Sequence, residues 1–138
     1  MINSRNLLEA TWNKKEEKVA NYVEQAHLDT SILTYNDENA LSYTLSLAYY
    51  SARDYYTIIR EMPSGKGYAD LVFLSKKDKP AMVIELKWNQ QVEGAIKQIK
   101  ERNYIHGLQA YKDNLLLVGI TYDTKSKKHS CKIEILHD

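Results

Sequence analysis

Residues 65–87 read GKGYADLVFLSKKDKPAMVIELK, and this segment predicts a β-hairpin. Its two apolar runs, 71–74 and 81–84, have the length and composition of strands. Between them, residues 75–80 combine Ser, Lys, Asp and Pro, which are typical of a turn. Charged residues stand where the first run begins and where the second run ends. We therefore expect those charges to meet at the open end of the hairpin.

Three of these charged side chains are predicted to share one face. With the turn centred between residues 77 and 78, Asp70 pairs with Glu85, and paired residues have Cβ atoms about 5 Å apart. Lys87 lies two residues beyond Glu85, so it points to the same side. Neighbouring carboxylates repel each other unless a cation neutralises them, and their oxygens suit Mg²⁺ or Mn²⁺. The pattern predicts metal-assisted hydrolysis of a phosphate ester, with solvated strand-end charges as the alternative.

Composition excludes several classes of protein. The chain has 138 residues, the size of one domain, and a formal net charge of +1, which excludes a strongly basic surface overall. Its single cysteine, Cys131, excludes an internal disulfide and is typical of a reducing compartment. We find no apolar leader or membrane-spanning run, so we expect a soluble cytoplasmic protein without membrane contact. Eleven tyrosines are expected mainly in half-buried core, with base stacking as the alternative.

Hydrophobic periodicity extends the hairpin into a mixed sheet with helices on its faces. The apolar run 114–122 predicts a strand covered on both sides, and the helix before it predicts a parallel crossover. The alternating run 129–136 predicts an edge strand. The first helix carries three glutamates on its expected solvated face, namely Glu16, Glu17 and Glu24. The other predicted elements are helices at 7–27, 36–53 and 89–111 and a strand at 55–62.

Two further polar residues are candidates for the same site. Glu38 lies three residues before Leu41, in line with the apolar side of the second helix. It either complements the helix dipole or points inward toward the hairpin carboxylates. Gln98 borders the apolar stripe of the third helix, where it is either exposed or at the entrance to the site.

The order of these residues resembles a known family. Glu38 in a helix, Asp70, then Glu85-x-Lys87 on a hairpin and Gln98 on the next helix resemble the PD-(D/E)XK nuclease superfamily. The resemblance is closer to one branch, the nuclease-like domain at the C-terminus of bacterial AAA-ATPase-like proteins. It implies an α/β, restriction-endonuclease-like α-β-β-β-α-β core with a mixed central sheet. The segments that carry it are LSYTLSLAYYSARDYY, REMPSGKGYADLVF, VIELKW, AIKQIKERNY and LLLVGITYD.

The resemblance also implies roles for individual residues. Lys87 would position the attacking water or stabilise the transition state, and Gln98 would line the site. The implied cofactor is Mg²⁺ or Mn²⁺, and the implied partner is nucleic acid, with DNA expected. The implied metal ligands are Asp70, Glu85, Glu38 and the backbone carbonyl of Leu86.

Domain organisation departs from that branch in one respect. There an ATPase-like domain precedes the nuclease-like one, whereas this chain has no Walker A motif. We expect residues 31–138 to form the nuclease-like domain and residues 1–30 an N-terminal helix, with the tail of an upstream domain as an open reading. An AAA-type ATPase domain and a second copy of the chain are further candidate partners.

Three functions stay open from the residues. The first is a metal-dependent nuclease that hydrolyses DNA phosphodiester bonds, and the second is a catalytically silent binding or regulatory module associated with an ATPase domain. A phosphoesterase for small substrates has no support from the scattered histidines, none of which form a pair with metal-ligand spacing.

Basic clusters are either solvated turns or contacts to a phosphate backbone. They comprise Lys66, then Lys76, Lys77 and Lys79, and then Lys125, Lys127 and Lys128.

Overall fold

A five-stranded sheet organises the fold. The computed structural model describes residues 4–29, 44–46, 48–64, 67–76, 78–101 and 114–135, without the side chains of 27–29, 61–64, 67–70, 98 and 101. The strands are β1 (Tyr56–Ser64), β2 (Gly67–Ser75), β3 (Ala81–Trp88), β4 (Leu115–Asp123) and β5 (Lys128–Ile135). They lie side by side in chain order. All neighbours pair antiparallel except β3 and β4, which are parallel. The predicted mixed sheet is therefore confirmed.

Helices flank the sheet on both faces. They are α1 (Ser4–Trp12), α2 (Glu16–Asp29) and α3 (Val92–Glu101), with a 3₁₀ helix at Tyr50–Asp54. Residues 44–46 and Ala48 are also helical, which agrees with the predicted second helix. The crossover between the parallel strands β3 and β4 includes α3. None of the helices in the described ranges is long and apolar enough to cross a bilayer.

Alternation along the strands divides the apolar side chains between two cores. Met82 and Ile84 of β3 pack with α1 and α2, on the side that we call the α1/α2 face. Ala81 and Val83 pack with α3, on the side that we call the α3 face. Both strands of the parallel pair are buried on their two sides, as the continuous apolar runs predict. Each fully buried aliphatic side chain contributes about 1.5–3 kcal/mol to folding, so the central strands anchor the domain.

The predicted single helix at 7–27 is wrong, because the structure has two helices there. The break is a Schellman motif in which the N–H of Lys14 donates to the carbonyl of Thr11 at 3.1 Å. The N–H of Lys15 donates to the carbonyl of Ala10 at 2.9 Å. Lys14 has a φ of 57°, in the left-handed region that usually selects glycine. A lysine at that position gives no helix-stop signal, which is why periodicity alone missed the break.

Helix α2 covers the outer edge of β5 with two carboxylates. Glu16 Oε2 accepts a hydrogen bond from the N–H of Ile133 at 2.7 Å, and Glu24 Oε1 accepts one from the N–H of His129 at 2.8 Å. Eight helical residues rise about 12 Å and four strand residues span about 13 Å, so the two spacings match. The edge strand is confirmed, but Glu16 and Glu24 are not simply solvated as predicted, because they satisfy its outward amides.

Aromatic hydroxyls tie α1 to the hairpin. The indole N–H of Trp12 donates to the Tyr56 hydroxyl at 2.6 Å, and that hydroxyl donates to the carbonyl of Pro80 at 2.5 Å. Tyr49 and Thr11 share a buried hydrogen bond at 2.7 Å. These tyrosines belong to the core, in agreement with the first of the two predictions for this residue type.

Candidate functional site

A buried carboxylate stands near the end of β3. Glu85 is 1% exposed, although it lies only three residues from the end of its strand. It alternates with Ala81 and Val83, which places it on the α3 face of the sheet. A carboxylate held out of water needs hydrogen bonds, a cation or a proton to offset the lost hydration. The burial of Glu85 therefore distinguishes it from an ordinary strand-end charge.

Strand β4 forms the wall beside this carboxylate. Glu85 is the register partner of Gly119, and the next pair on the same face joins Lys87 to Thr121. Lys87 is half-buried and Thr121 is buried. Residues two apart on one strand, and diagonal neighbours across two strands, lie about 7 Å apart on the same face, so an ammonium and a hydroxyl lie near the glutamate. The α3 face thus carries an acid, a base and a hydroxyl on two neighbouring strands.

Gly119 lets α3 approach the sheet beside Glu85. A Cβ atom at Gly119 would lie 3.0 Å from the Cβ of Ala95 and 3.2 Å from the carbonyl oxygen of Val92. Both distances are tighter than most Cβ contacts, so a side chain here would require α3 to shift by a few tenths of an ångström, and the first turn of α3 packs closely on the β4 backbone. The close approach of α3 explains how a charged residue so near a strand end becomes buried.

The predicted partner Asp70 is part of β2, and its side chain lies outside the described residues. The described register of β2 and β3 ends with Leu71 paired to Ile84. One further step in the same register pairs Asp70 with Glu85, as the hairpin pattern predicts. The proximity of the two carboxyl groups stays a prediction.

The other predicted site residues are placed only in part. Glu38 lies outside the described residues, and Gln98 lies in α3 with its side chain outside them. Leu86 points to the α1/α2 core, and its backbone pairs with Ile120 of β4. Among the described side chains, no group of three or more His, Cys, Asp or Glu residues could hold a metal ion.

The exit of β3 is fastened to the turn between β4 and β5. Asn89 has a φ of 58°, which asparagine tolerates better than most residues. Its N–H donates to the carbonyl of Tyr122 at 2.8 Å. Its Oδ1 accepts hydrogen bonds from the N–H and Oγ1 of Thr124, at 2.8 and 3.0 Å. The strand that carries Glu85 and Lys87 is thereby locked to its neighbour at this end.

The turn itself is shaped by one aspartate. Asp123 accepts hydrogen bonds from the Ser126 hydroxyl at 2.8 Å and from the backbone N–H groups of Ser126 and Lys125 at 3.3 and 3.2 Å. The bond from the Ser126 hydroxyl is the largest cause that holds the pKa of Asp123 below its usual value. Lys127 completes the turn with a φ of 60° and an N–H bond of 2.8 Å to the carbonyl of Asp123.

A comparison with protein families adds to this geometry. A family model described as the PD-(D/E)XK nuclease superfamily matches residues 37–131, which is more than half of the chain. The chain belongs to the PD-(D/E)XK nuclease superfamily. No curated protein and no solved structure matches it. Asp70, Glu85 and Lys87 lie inside the matched range, whereas α1 and α2 lie before it.

The mixed sheet flanked by helices is consistent with the restriction-endonuclease-like fold expected for the superfamily. The superfamily suggests nucleic acid as the partner and a divalent metal ion as the cofactor. The donor chemistry at the end of β3 fits such an ion, because a buried carboxylate oxygen and a peptide oxygen are hard ligands. The carboxylate is that of Glu85, and the peptide oxygen is the predicted one of Leu86, whose direction toward the site stays a prediction.

Reasoning from the sequence alone missed two neighbours of the site, Gly119 and Thr121. Both lie in the apolar run of β4, whose pattern predicts only a strand covered on two sides. A glycine and a threonine two residues apart in such a run carry a usable signal. Glycine inside a strand marks a close backbone approach, and threonine is the polar member of that stretch. The pairing of these two residues with Glu85 and Lys87 could be recognised only once the parallel register was known.

Proposed function

We propose that this domain is a metal-dependent nuclease that hydrolyses phosphodiester bonds in DNA. The observation that carries the proposal is the burial of the Glu85 carboxylate on the face it shares with Lys87, in a chain of the PD-(D/E)XK nuclease superfamily. A glutamate that was only a solvated charge at the end of a strand would stay exposed to water. A ligand for a cation gains from the surrounding low dielectric, which strengthens its interaction with the charge.

The proposed ligands are two hairpin carboxylates with support from neighbouring groups. Asp70 and Glu85 would hold Mg²⁺ or Mn²⁺, together with the Leu86 carbonyl, and Glu38 would complete the set. When bound, such an ion polarises a phosphoryl oxygen and makes a bound water easier to deprotonate. Gln98 would line the site from α3. Each of these roles follows the superfamily pattern carried onto this chain.

Lys87 is proposed to act on the water and on the phosphate. Its ammonium group has three donors, which can orient a water oxygen or bind a non-bridging phosphate oxygen. As the water oxygen bonds to phosphorus and releases a proton to solvent, the phosphorus–oxygen ester bond breaks and the leaving oxygen takes up a proton from solvent. The positive charge of Lys87 stabilises the negative charge that builds on the phosphate oxygens. Thr121, its register partner, adds a hydroxyl on the same face of the sheet.

Cleavage of plasmid and single-stranded DNA tests the proposal. With Mg²⁺ or Mn²⁺, we expect the wild type to cut and Glu85→Gln and Lys87→Ala each to lose activity by about 100-fold or more. Glu93→Gln and Lys18→Ala are matched controls, because both residues are exposed on helices. They should retain wild-type rates. Equal rates in all five proteins would identify a contaminating nuclease and remove the proposal.

Metal binding separates catalysis from a silent module. Calorimetric titration with Mn²⁺ should show binding to the wild type and to Glu93→Gln, and weaker binding to Glu85→Gln. If the wild type binds no Mn²⁺ at millimolar concentration, the catalytic proposal fails. The alternative would then hold, in which the domain keeps the nuclease fold as a binding or regulatory partner of an ATPase domain.

A further inference from the structure

The lysine-bearing turn between β4 and β5 lies at the same end of the sheet as Glu85 and Lys87. Lys87 pairs with Thr121, and the turn begins two residues later, after Asp123. Two strand residues span about 7 Å, so the turn adjoins the site. Alternation from Thr121 through Asp123 to its partner Lys128 also places Lys128 on the α3 face. We call Lys125, Lys127 and Lys128 the lysine turn.

Hydrogen bonds hold this turn in one shape without using the lysine side chains that they position. Asp123 binds backbone groups and the Ser126 hydroxyl, and Asn89 binds Thr124. The three lysines themselves are exposed. An ordered backbone with exposed cationic side chains loses less conformational entropy on binding a polyanion than a flexible loop would. The turn is therefore preorganised for charge recognition.

A second basic cluster, on the turn between β2 and β3, lies at the opposite end of that hairpin and is already engaged. The Lys79 ammonium lies over the Trp12 ring at 4.4 Å, and Lys76 Nζ donates to the Arg53 carbonyl at 3.5 Å. Lys79 is thus part of the packing of α1 against the hairpin. The second cluster is far from the site, and Lys76 and Lys79 contact other groups of the protein. The lysine turn is therefore the better candidate for the surface that binds a polyanion at the site.

We propose that the lysine turn binds the phosphate backbone of the polynucleotide whose phosphodiester bond is held at Glu85 and Lys87. This inference rests on the proposed function, because it assigns the substrate-binding surface of the same site. The ligand chemistry is a chain of phosphodiesters, which DNA and RNA share. Three lysines within four residues would contact phosphates on one side of the scissile bond. Their contribution is electrostatic and independent of base sequence.

The test is a binding titration at several salt concentrations with metal removed by EDTA. Dye-labelled single-stranded DNA, duplex DNA and RNA of the same sequence are the probes. We compare Lys125→Gln/Lys127→Gln/Lys128→Gln with Lys14→Gln/Lys15→Gln/Lys18→Gln, a control with equal charge loss at exposed lysines near the turn between α1 and α2. We expect the first variant to bind at least 10-fold more weakly. Its slope of log affinity against log salt on duplex DNA should fall by about 2–3.

The outcomes separate this proposal from the proposed nuclease activity. If the control variant loses as much affinity as the lysine-turn variant, or if the wild type binds none of the probes, the lysine turn is not the binding surface. If the lysine-turn variant alone loses affinity while the wild type cuts nothing, the surface is supported and the nuclease activity is not. Preference for DNA or RNA among the probes identifies the natural source of the phosphates. Lys125→Gln/Lys128→Gln keeps Lys127 and its left-handed backbone, so it serves if the triple variant is unfolded.

Discussion

Two glycines near the site carry opposite structural demands. Gly119 is enclosed by the first turn of α3, whereas a Cβ atom at Gly94 would meet no atom within 4 Å. One glycine is needed because the helix touches the sheet, and the other only weakens the helix that contains it. The first of them lies beside the buried Glu85 in the register of β3 and β4, so the close approach of α3 at this point borders the carboxylate.

Substituting each glycine by alanine should therefore change stability in opposite directions. Gly119→Ala forces α3 away from β4 and should lower the free energy of unfolding by about 1–3 kcal/mol. Gly94→Ala, inside the helix, should raise it by about 0.5–1 kcal/mol. Urea denaturation of both variants measures the two changes. A neutral Gly119→Ala would show that the helix is not held against the sheet as described.

Buried tyrosine hydroxyls make the fold sensitive to alkali. Burial raises the pKa of Tyr56 to about 12 from 10.0, and burial also raises that of Tyr49. The folded protein thus holds these protons more tightly than the unfolded chain does. Their contribution to stability is complete below pH 10 and is lost as pH rises through the folded-state value.

We expect the urea midpoint to fall steadily above pH 10 and tyrosinate absorbance to rise with unfolding. Tyr49→Phe should reduce this loss, because Thr11 keeps its hydrogen bond to the carbonyl of Leu7 at 2.9 Å. Tyr50→Phe is the control, since Tyr50 is 60% exposed. A midpoint independent of pH, or an equal effect of the two variants, would contradict the burial argument.

At the scale of the element, the contact between α2 and β5 covers the outer edge of the sheet. Unpaired outward amides on an edge strand invite pairing with another chain. Glu16 and Glu24 accept hydrogen bonds from the amides of Ile133 and His129 instead. The helix therefore acts as a substitute for a sixth strand at two of the outward amides.

Removal of these carboxylates should free the edge. Glu16→Ala and Glu24→Ala should each lower the free energy of unfolding by about 1–2 kcal/mol, because a part-buried amide loses a charged acceptor. Hydrogen exchange at Ile133 and His129 should accelerate in the matching variant. Glu17→Ala, at an exposed position of the same helix, should change neither measurement. If exchange is unchanged in the first two variants, the carboxylates do not protect these amides, and water replaces them without loss of stability.

Element positions were predictable where a repeating pattern existed. The hairpin register followed from turn chemistry and the buried strands followed from apolar runs, so β2 and β3 pair in the predicted frame at Leu71 and Ile84. The break before α2 and the roles of Glu16 and Glu24 were not predictable. Each depends on a single residue whose type is ordinary on a helix surface. Likewise, the place of Thr121 beside the site was not predictable, because it depends on the pairing with Lys87, a residue distant in the chain.

At the scale of the whole molecule, the folded unit is larger than the range that matches the superfamily. Four aliphatic side chains in the described parts of α1 and α2 are completely buried, namely Leu7, Leu8, Val19 and Val23. Their burial contributes about 6–12 kcal/mol, which is comparable to the entire stability of a typical domain. These helices precede the matched residues 37–131, yet they complete the α1/α2 core.

A chain that begins at residue 30 should therefore fail to fold. We expect residues 30–138 to show no cooperative thermal transition, whereas the full chain shows one. Addition of a peptide of residues 1–29 should restore part of the signal, since the contacts are non-covalent. Circular dichroism of the two chains, with and without the peptide, measures this. A cooperative transition in the shortened chain alone would show that α1 and α2 are dispensable.

The matched spacing of α2 and β5 also limits how this chain can change in length. One residue inserted between Glu16 and Glu24 would rotate everything after it by about 100° around the helix axis, and Glu24 would point away from the strand. An insertion at residues 13–15 disturbs the hydrogen bonds of the bend but leaves the interval between Glu16 and Glu24 unchanged. Insertions in this region are therefore compatible with both hydrogen bonds to β5 only at the bend. The eight-residue interval between Glu16 and Glu24 must keep its length for both carboxylates to reach the strand.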